Sequence, residues 1–218
     1  MKIEFYLDYL CPKCYLQQKV IEQMIKKQEI SEDVVIYRSF EMVDAYEFDE
    51  SLNFVDFIVK YKQLPKNEVI DFLNKTNMEI QLFPIHNVHK MAHLAKKMKL
   101  SYGFNKAVFK AIYEDHINLS QIHELRQLAI NVGLPEDEVN DVLCTSKYSD
   151  AVISNKENGQ LKGVESLPFL RINQLLKLNG LQDEETILNA LHLSLENKIN
   201  EHCTGSNCIR KKNRSKSV

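Results

Sequence analysis

The first forty residues switch from the hydrophobic spacing of a strand to that of a helix and back. Ile3–Tyr9 alternates apolar and polar side chains and is rich in aromatic residues, which predicts a strand. After Cys11, apolar residues recur at three- and four-residue steps until Lys27, which predicts an amphipathic helix. Asp33–Phe40 is short and β-branched, and predicts a second strand. Because the links are short, this order predicts a βαβ unit with parallel strands.

The rest of the chain is helical first and then returns to strands. From about Ser51 to Asn158 the spacing is helical throughout and predicts five to seven amphipathic helices. Leu167–Ile172 and Leu175–Leu178 then predict two strands, joined at Asn173 and Gln174 by a tight hairpin turn. Asp183–Leu195 has the spacing of a final amphipathic helix.

The order of elements is therefore βαβ, a long helical block, and ββα. Such a pair of units around one sheet is the thioredoxin arrangement, so we predict an α/β protein with a thioredoxin-like fold and a large all-helical insertion. We predict a discontinuous thioredoxin-like domain of residues 1–43 and 159–197 and a helical insertion domain of residues 44–158. Residues 198–218 form a C-terminal tail.

Composition and charge narrow the classes of function. The 218 residues carry a formal charge of −2, but the last nine residues hold five cations and no acid, so the remainder carries −7. An acidic body argues against binding to nucleic acid. No stretch approaches the roughly 18 apolar residues of a membrane span, and residues 1–10 lack the apolar region of a signal peptide. We therefore expect a cytoplasmic protein with neither nucleic-acid nor membrane partners.

Cys11-Pro12-Lys13-Cys14 lies where the first predicted strand gives way to the helix. The unpaired N–H groups and partial positive charge of a helix N-terminus stabilise a thiolate at Cys11. Pro12 suits the first helical turn, and Lys13 adds a nearby cation. The spacing brings Cys14 beside Cys11, where it can resolve a mixed disulfide. The motif predicts dithiol–disulfide exchange without an organic cofactor.

The three other cysteines leave alternatives open. Cys203 and Cys208 could complete a zinc site with the first pair, but their spacing is loose for that purpose, and no metal site is predicted. With Gly205 between them they form a CX4C, either an auxiliary dithiol that exchanges with Cys11 and Cys14 or two unused thiols. Cys144 lies in a helical pattern and is predicted to be a buried small hydrophobe.

Further site residues are predicted from their places in the fold. In a thioredoxin fold, a cis-proline that faces the CxxC precedes the third core strand, and Leu167-Pro168 occupies that place. Glu4 and Asp8, in and after the first strand, are candidates for a proton acceptor near Cys14. His89 and His93 have the i, i+4 spacing of a metal-binding pair, but without an acidic partner motif we favour packing roles.

Several segments resemble one known family. Asp8-Tyr9-Leu10-Cys11-Pro12-Lys13-Cys14-Tyr15 resembles the DsbA family, in particular its FrnE-type branch with the motif D-x-x-C-P-W-C-Y. Val88–Met91 and Gly163–Phe169 resemble two further segments of that branch, and the likeness spans about residues 1–195. It implies a disulfide oxidoreductase whose substrates are disulfides or dithiols of proteins or glutathione. It also implies that His89 lines the substrate cleft. Members of the branch can carry a C-terminal cysteine pair similar to Cys203 and Cys208. Lys13 replaces the family's Trp, so substrate preference and redox potential do not carry over.

Two other functions remain as alternatives. Kappa-class glutathione transferases and 2-hydroxychromene-2-carboxylate isomerases share the superfamily but generally have Ser at the first cysteine, so Cys11 and Cys14 together argue against their chemistry. A non-catalytic protease adaptor is the second alternative, although no segment marks an adaptor surface. The sequence predicts no particular oligomeric state.

Overall fold

The fold, in a computed structural model, is described for residues 1–203, and for residues 197–203 in backbone alone. It confirms the predicted order of a βαβ unit, a helical block and a ββα unit. The elements are β1 (Ile3–Leu7), α1 (Pro12–Lys27), β2 (Val35–Ser39), α2 (Phe54–Lys62), α3 (Lys66–Thr76), α4 (His86–Lys97), α5 (Ser101–Tyr113), α6 (Ile122–Asn131), α7 (Glu136–Cys144), α8 (Ser149–Leu161), β3 (Phe169–Ile172), β4 (Leu176–Asn179) and α9 (Glu184–Cys203).

The four strands form one mixed sheet in the order β2-β1-β3-β4. β1 pairs with β2 in parallel and with β3 antiparallel, so Phe5 lies between Tyr37 and Leu170. All five residues of β1 are buried, as expected for a central strand covered on both faces. The predicted hairpin between β3 and β4 is confirmed, because Asn173 and Gln174 both take the positive φ of a tight turn.

The main apolar core lies on one face of the sheet. Ile3, Phe5 and Leu7 of β1 belong to the same buried cluster as side chains of α1 and of α4 to α7. α2 and α3 pack around a smaller cluster that contains Phe54, Phe57 and Val69. The predicted boundary between a thioredoxin-like domain and a helical domain stays a prediction, since the main core contains side chains from both. Among the described residues, no helix is both long and apolar enough to cross a membrane.

α8 covers the other face of the sheet at very short range. Tyr6, Phe40, Val164 and Phe169 form a third buried cluster there. A Cβ added at Gly159 would stand 2.9 Å from the ring of Phe40 and 3.2 Å from the ring of Tyr6. The helix approaches so closely only because residue 159 has no side chain.

We expect Gly159→Ala to destabilise the protein. Overpacking of a close contact costs about 1–3 kcal/mol, which exceeds the gain of up to about 1 kcal/mol when alanine replaces glycine in a helix. Gly103→Ala in α5 is the matched control, because its added Cβ would lie 3.8 Å from the nearest side-chain atom. Urea unfolding measures both variants, and equal stability of the two would contradict the prediction.

Candidate active site

Cys11 is the N-cap residue of α1. Its backbone is extended, Pro12 follows as the first helical residue, and the Cys11 Sγ accepts the N–H of Cys14 at 3.2 Å. The sulfur therefore takes the capping place that a serine or aspartate oxygen usually fills. Because unpaired N–H groups and the positive end of the helix dipole converge there, negative charge on this sulfur is favoured. Cys11 and Cys14 are both free thiols.

Cys14 differs from Cys11 in its surroundings. The side chain of Cys14 is fully buried, whereas Cys11 keeps 5% of its surface exposed and lines a groove. Burial raises the pKa of the Cys14 thiol well above its ordinary value, and a hydrogen bond with Cys11 and negative charge there raise it further. Cys14 is thus held as a protonated thiol beside the more accessible sulfur of Cys11.

The groove beside Cys11 has a volume of about 340 Å³ and is mostly apolar. One wall comes from the end of β2 and from the helices α2 and α3, and the other from the segment before β3. The apolar side chains in its lining are Phe40, Met42, Phe54, Ile58, Leu64, Val69, Phe72 and Leu167. Such a surface suits an apolar segment of a substrate next to the reactive sulfur.

The segment before β3 lies at the rim of this groove. The Leu167–Pro168 peptide bond is cis, and the carbonyl of Pro168 accepts the N–H of Gly180 at 2.9 Å. Ser166 and Leu167 line the groove together with Cys11. The chain therefore returns from the helical block to the dithiol.

Two lysines line the groove in different ways. Lys13 is exposed, and its ammonium lies 5.7 Å from the ring centroid of Phe72 in α3, within range of a cation–π contact. Lys62, the last residue of α2, is half-buried. Burial lowers the pKa of Lys62, while the charges of Asp8 and Cys11 oppose that shift. Lys62 was not identifiable from the sequence, because a lysine at the end of an amphipathic helix carries no signal that it lines the same groove as a distant cysteine.

The two predicted proton acceptors lie in different surroundings. Asp8 is buried, and its carboxylate oxygens accept the N–H of Leu10 at 2.7 Å and of Met42 at 2.5 Å. Burial raises the pKa of Asp8 to about 7 in spite of these hydrogen bonds, and its charge acts on the thiol of Cys14. Of the two acids, Asp8 is the one near the dithiol.

Glu4 belongs to an ion-pair cluster on the face of the sheet. It contacts Arg38 at 2.6 Å and Arg171 at 3.3 Å. Burial alone would raise the pKa of Glu4, but the hydrogen bond and charge of Arg38, with Lys162 and Arg171, outweigh it and lower the pKa. Glu4 is thereby held as a carboxylate between two strands.

The expected position of His89 in the cleft is wrong. His89 is fully buried on the core side of α4, its ring 4.8 Å from the ring of Tyr9, and it is absent from the groove lining. Burial lowers its pKa well below the ordinary value. The ring of His86, at the start of the same helix, forms hydrogen bonds with the side chains of Glu41 and Ser149.

In the part of the chain that the structure describes, no group of three or more potential ligands is arranged to hold a metal ion.

Of the three other cysteines, only Cys144 has a described side chain, and that side chain does not line the groove. Cys144 is exposed, which corrects the prediction of a buried residue, because it ends α7 on the side away from the buried Val139 and Val142. Cys203 is the last residue of α9, and its side chain, like all of Cys208, lies outside the described residues. The auxiliary dithiol therefore stays a prediction.

A thioredoxin-like fold with a dithiol at the start of its first helix defines the class of this protein. Residues 2–192 match the family of DSBA-like thioredoxin domains, and the chain belongs to that family. The predicted DsbA family is thus confirmed, while the FrnE-type branch stays a prediction.

One relative and two solved structures illustrate the likeness. The uncharacterized protein YwbO of Bacillus subtilis strain 168 is 26% identical over 155 residues, which are 68% of this chain and 74% of YwbO. The structure of a probable DsbA oxidoreductase from Streptomyces coelicolor has a TM-score of 0.72 at 19% identity, with 90% of each chain covered. A 2-hydroxychromene-2-carboxylate isomerase has a TM-score of 0.61 at 11% identity over both whole chains. At these identities the two structures show a shared fold.

The raised pKa of Asp8 predicts how stability depends on pH. The ordinary carboxyl pKa is 3.8 and the folded value is about 7, so the folded state keeps a proton that the unfolded state releases. This contribution is fully present below about pH 4 and is lost as the pH rises to about 7, with a slope approaching about 1.4 kcal/mol per pH unit.

We expect Asp8→Asn to remove this slope. Urea unfolding of both proteins under reducing conditions, at intervals from pH 4 to pH 8, isolates the contribution of Asp8 as the difference between two curves. The variant also loses absolute stability at every pH, because asparagine has one acceptor oxygen for the two N–H donors. Parallel curves across this window would show that Asp8 does not titrate there.

Proposed function

We propose that this protein is a thiol–disulfide oxidoreductase that exchanges the Cys11/Cys14 dithiol with disulfides of proteins or small molecules. One observation carries the proposal: Cys11 caps a helix N-terminus and opens onto an apolar groove, while Cys14 is buried next to it as a protonated thiol. The two sulfurs are thereby suited to the two successive steps of exchange.

The first step is attack by the Cys11 thiolate on one sulfur of the substrate disulfide. A mixed disulfide forms, and the other substrate sulfur leaves as a thiolate that takes a proton from water. Cys14 then loses its proton and attacks the Cys11 sulfur, which releases the second substrate thiol and leaves a Cys11–Cys14 disulfide. The reverse sequence oxidises a substrate dithiol, so two electrons pass in either direction.

Asp8 is proposed to accept the Cys14 proton. Its pKa of about 7 lets it hold or release a proton near neutral pH, and its charge acts on that thiol. Pro12 and Lys13 shape the first turn, and Leu167 and Pro168 contribute the rim at which the substrate chain aligns. Cytoplasmic location and the choice between protein and glutathione substrates belong to the proposal as well.

Cysteine variants test the proposal. We expect Cys11→Ser to reduce insulin-disulfide reduction to the uncatalysed rate, because the attacking sulfur is gone. Cys14→Ser should accumulate mixed disulfides at Cys11, which mass spectrometry detects. Cys144→Ser is the control, because Cys144 is exposed and does not line the groove, and it should keep full activity.

Other results would favour the alternatives. Glutathione conjugation that survives Cys14→Ser would support the transferase chemistry. Binding of a partner by wild-type protein with no disulfide exchange at all would support an adaptor. Alkylation of Cys11 and Cys14 at equal rates near neutral pH would refute the assignment of Cys11 as the attacking thiol.

A further inference from the structure

Lys62 brings a positive charge to the apolar groove beside Cys11. Phe54, Ile58 and Lys62 follow one another at four-residue steps along α2, so they share one face of that helix, and all three line the groove. Phe54 and Ile58 are buried, while Lys62 is half-buried. A lysine thus continues an apolar helix face in the wall that a substrate meets.

Lys62 differs from neighbouring lysines of α2 and α3. Lys60 pairs with Asp49 at 3.0 Å and Lys66 with Asp56 at 2.9 Å, and both lysines are exposed, as is usual for surface ion pairs. Within the described residues, Lys62 has neither an ion pair nor a hydrogen bond. Because partial burial deprives this ammonium of water, an anion that enters the groove would offset the cost of that desolvation.

The acids around the groove do not supply that anion. Glu68 and Glu165 line the same groove, but both are exposed to water and neither forms an ion pair with Lys62. Asp8 is buried, and both of its carboxylate oxygens already accept backbone N–H groups. The ammonium of Lys62 is therefore available to a group that a substrate brings.

We propose that Lys62 binds a carboxylate of the substrate, close to the disulfide that Cys11 attacks. Both residues line one groove of about 340 Å³, so a single bound segment can place its sulfur at Cys11 and its carboxylate at Lys62. The lining is mostly apolar, and opposite charges attract each other more strongly in such surroundings than in water. The carboxylate comes from an acidic peptide segment or from glutathione. This inference rests on the proposed function and adds a specificity-determining residue to it.

Two pairs of substrates test the proposal. The first pair consists of blocked peptide disulfides that differ only in a glutamate or a glutamine beside the cysteine. The second pair is glutathione disulfide and its ester at the glycine carboxylates. In a single turnover, the reduced protein and the substrate disulfide yield the Cys11–Cys14 disulfide and two substrate thiols. Mass spectrometry of acid-quenched samples measures the rate, which is divided by the rate of the same substrate with dithiothreitol to remove its intrinsic reactivity.

We expect the wild-type protein to react about three- to tenfold faster with the carboxylate member of a pair than with its neutral partner, because a half-buried ion pair is stronger than an exposed one. Lys62→Met should bring this ratio to about one, and Lys62→Arg, which keeps the charge, should preserve most of it. Salt at about 0.5 M should lower the wild-type ratio by screening. A preference within the peptide pair identifies an acidic peptide segment as the source of the carboxylate, and one within the second pair identifies glutathione.

Lys60→Met is the matched control. It removes the same charge from the same helix, but Lys60 is exposed, pairs with Asp49 and does not line the groove. The ratio of rates within each pair should therefore keep its wild-type value in this variant.

Three results would overturn the proposal. These are a wild-type ratio of one in both pairs, a wild-type ratio that persists in Lys62→Met, even with all four substrates slowed, and an equal loss of the ratio in Lys60→Met. If Lys62→Met does not fold, the wild-type ratio and its decline in salt decide the matter. Failure of the proposed function is distinct from these results, since the wild-type protein would then reduce none of the four substrates.

Discussion

The carboxylate of Asp8 is the interaction on which the site depends. β1 and β2 are parallel neighbours, so the loops that follow them leave the same edge of the sheet. Asp8 follows β1 and binds the N–H of Leu10 in its own loop and the N–H of Met42 after β2. One buried acid therefore fixes both the approach to Cys11 and one wall of the groove next to it. Burial of that acid raises its pKa to about 7, so the group that positions the loops also titrates in the range in which thiols exchange protons.

The two cysteines acquire different properties from a single turn of helix. Cys11 lies before the first helical residue and accepts the N–H of Cys14, whereas Cys14 lies inside the turn and faces the core. The two side chains are chemically identical, so their different burial and hydrogen bonding account for their different properties. The rings of Tyr15 and Tyr113 stack on each other beside this turn, and neither lines the groove, whereas Cys11 does.

Most of the fold could be predicted from local patterns, and part of the site could not. The βαβ unit follows from spacing between Ile3 and Phe40, and the hairpin from turn residues, because these patterns are set within one or two elements. Cys11 and Cys14 were identifiable because their spacing carries its own chemistry. Lys62 was not, since the packing of seven helices between β2 and β3, all within the described residues, decides which helix end reaches the dithiol. The same limitation explains Cys144 and His89: helical spacing shows that a residue lies on a helix, but the neighbouring elements determine which side is buried.

The helices between β2 and β3 serve two physical purposes. α4 to α7 share the main core with β1, so their apolar faces are required for the sheet to be covered. α2 and α3 have a smaller cluster of their own, and they supply Phe54, Ile58, Val69 and Phe72 to the groove. Three of these four residues, Phe54, Ile58 and Val69, are also buried members of that cluster, so this wall of the groove is part of a packed core. Met42 packs against both clusters and donates its N–H to Asp8, so it joins this wall of the groove to the acid beside the dithiol. Under the proposed function, the residues that contact a substrate and those that act on the dithiol are therefore coupled through Met42.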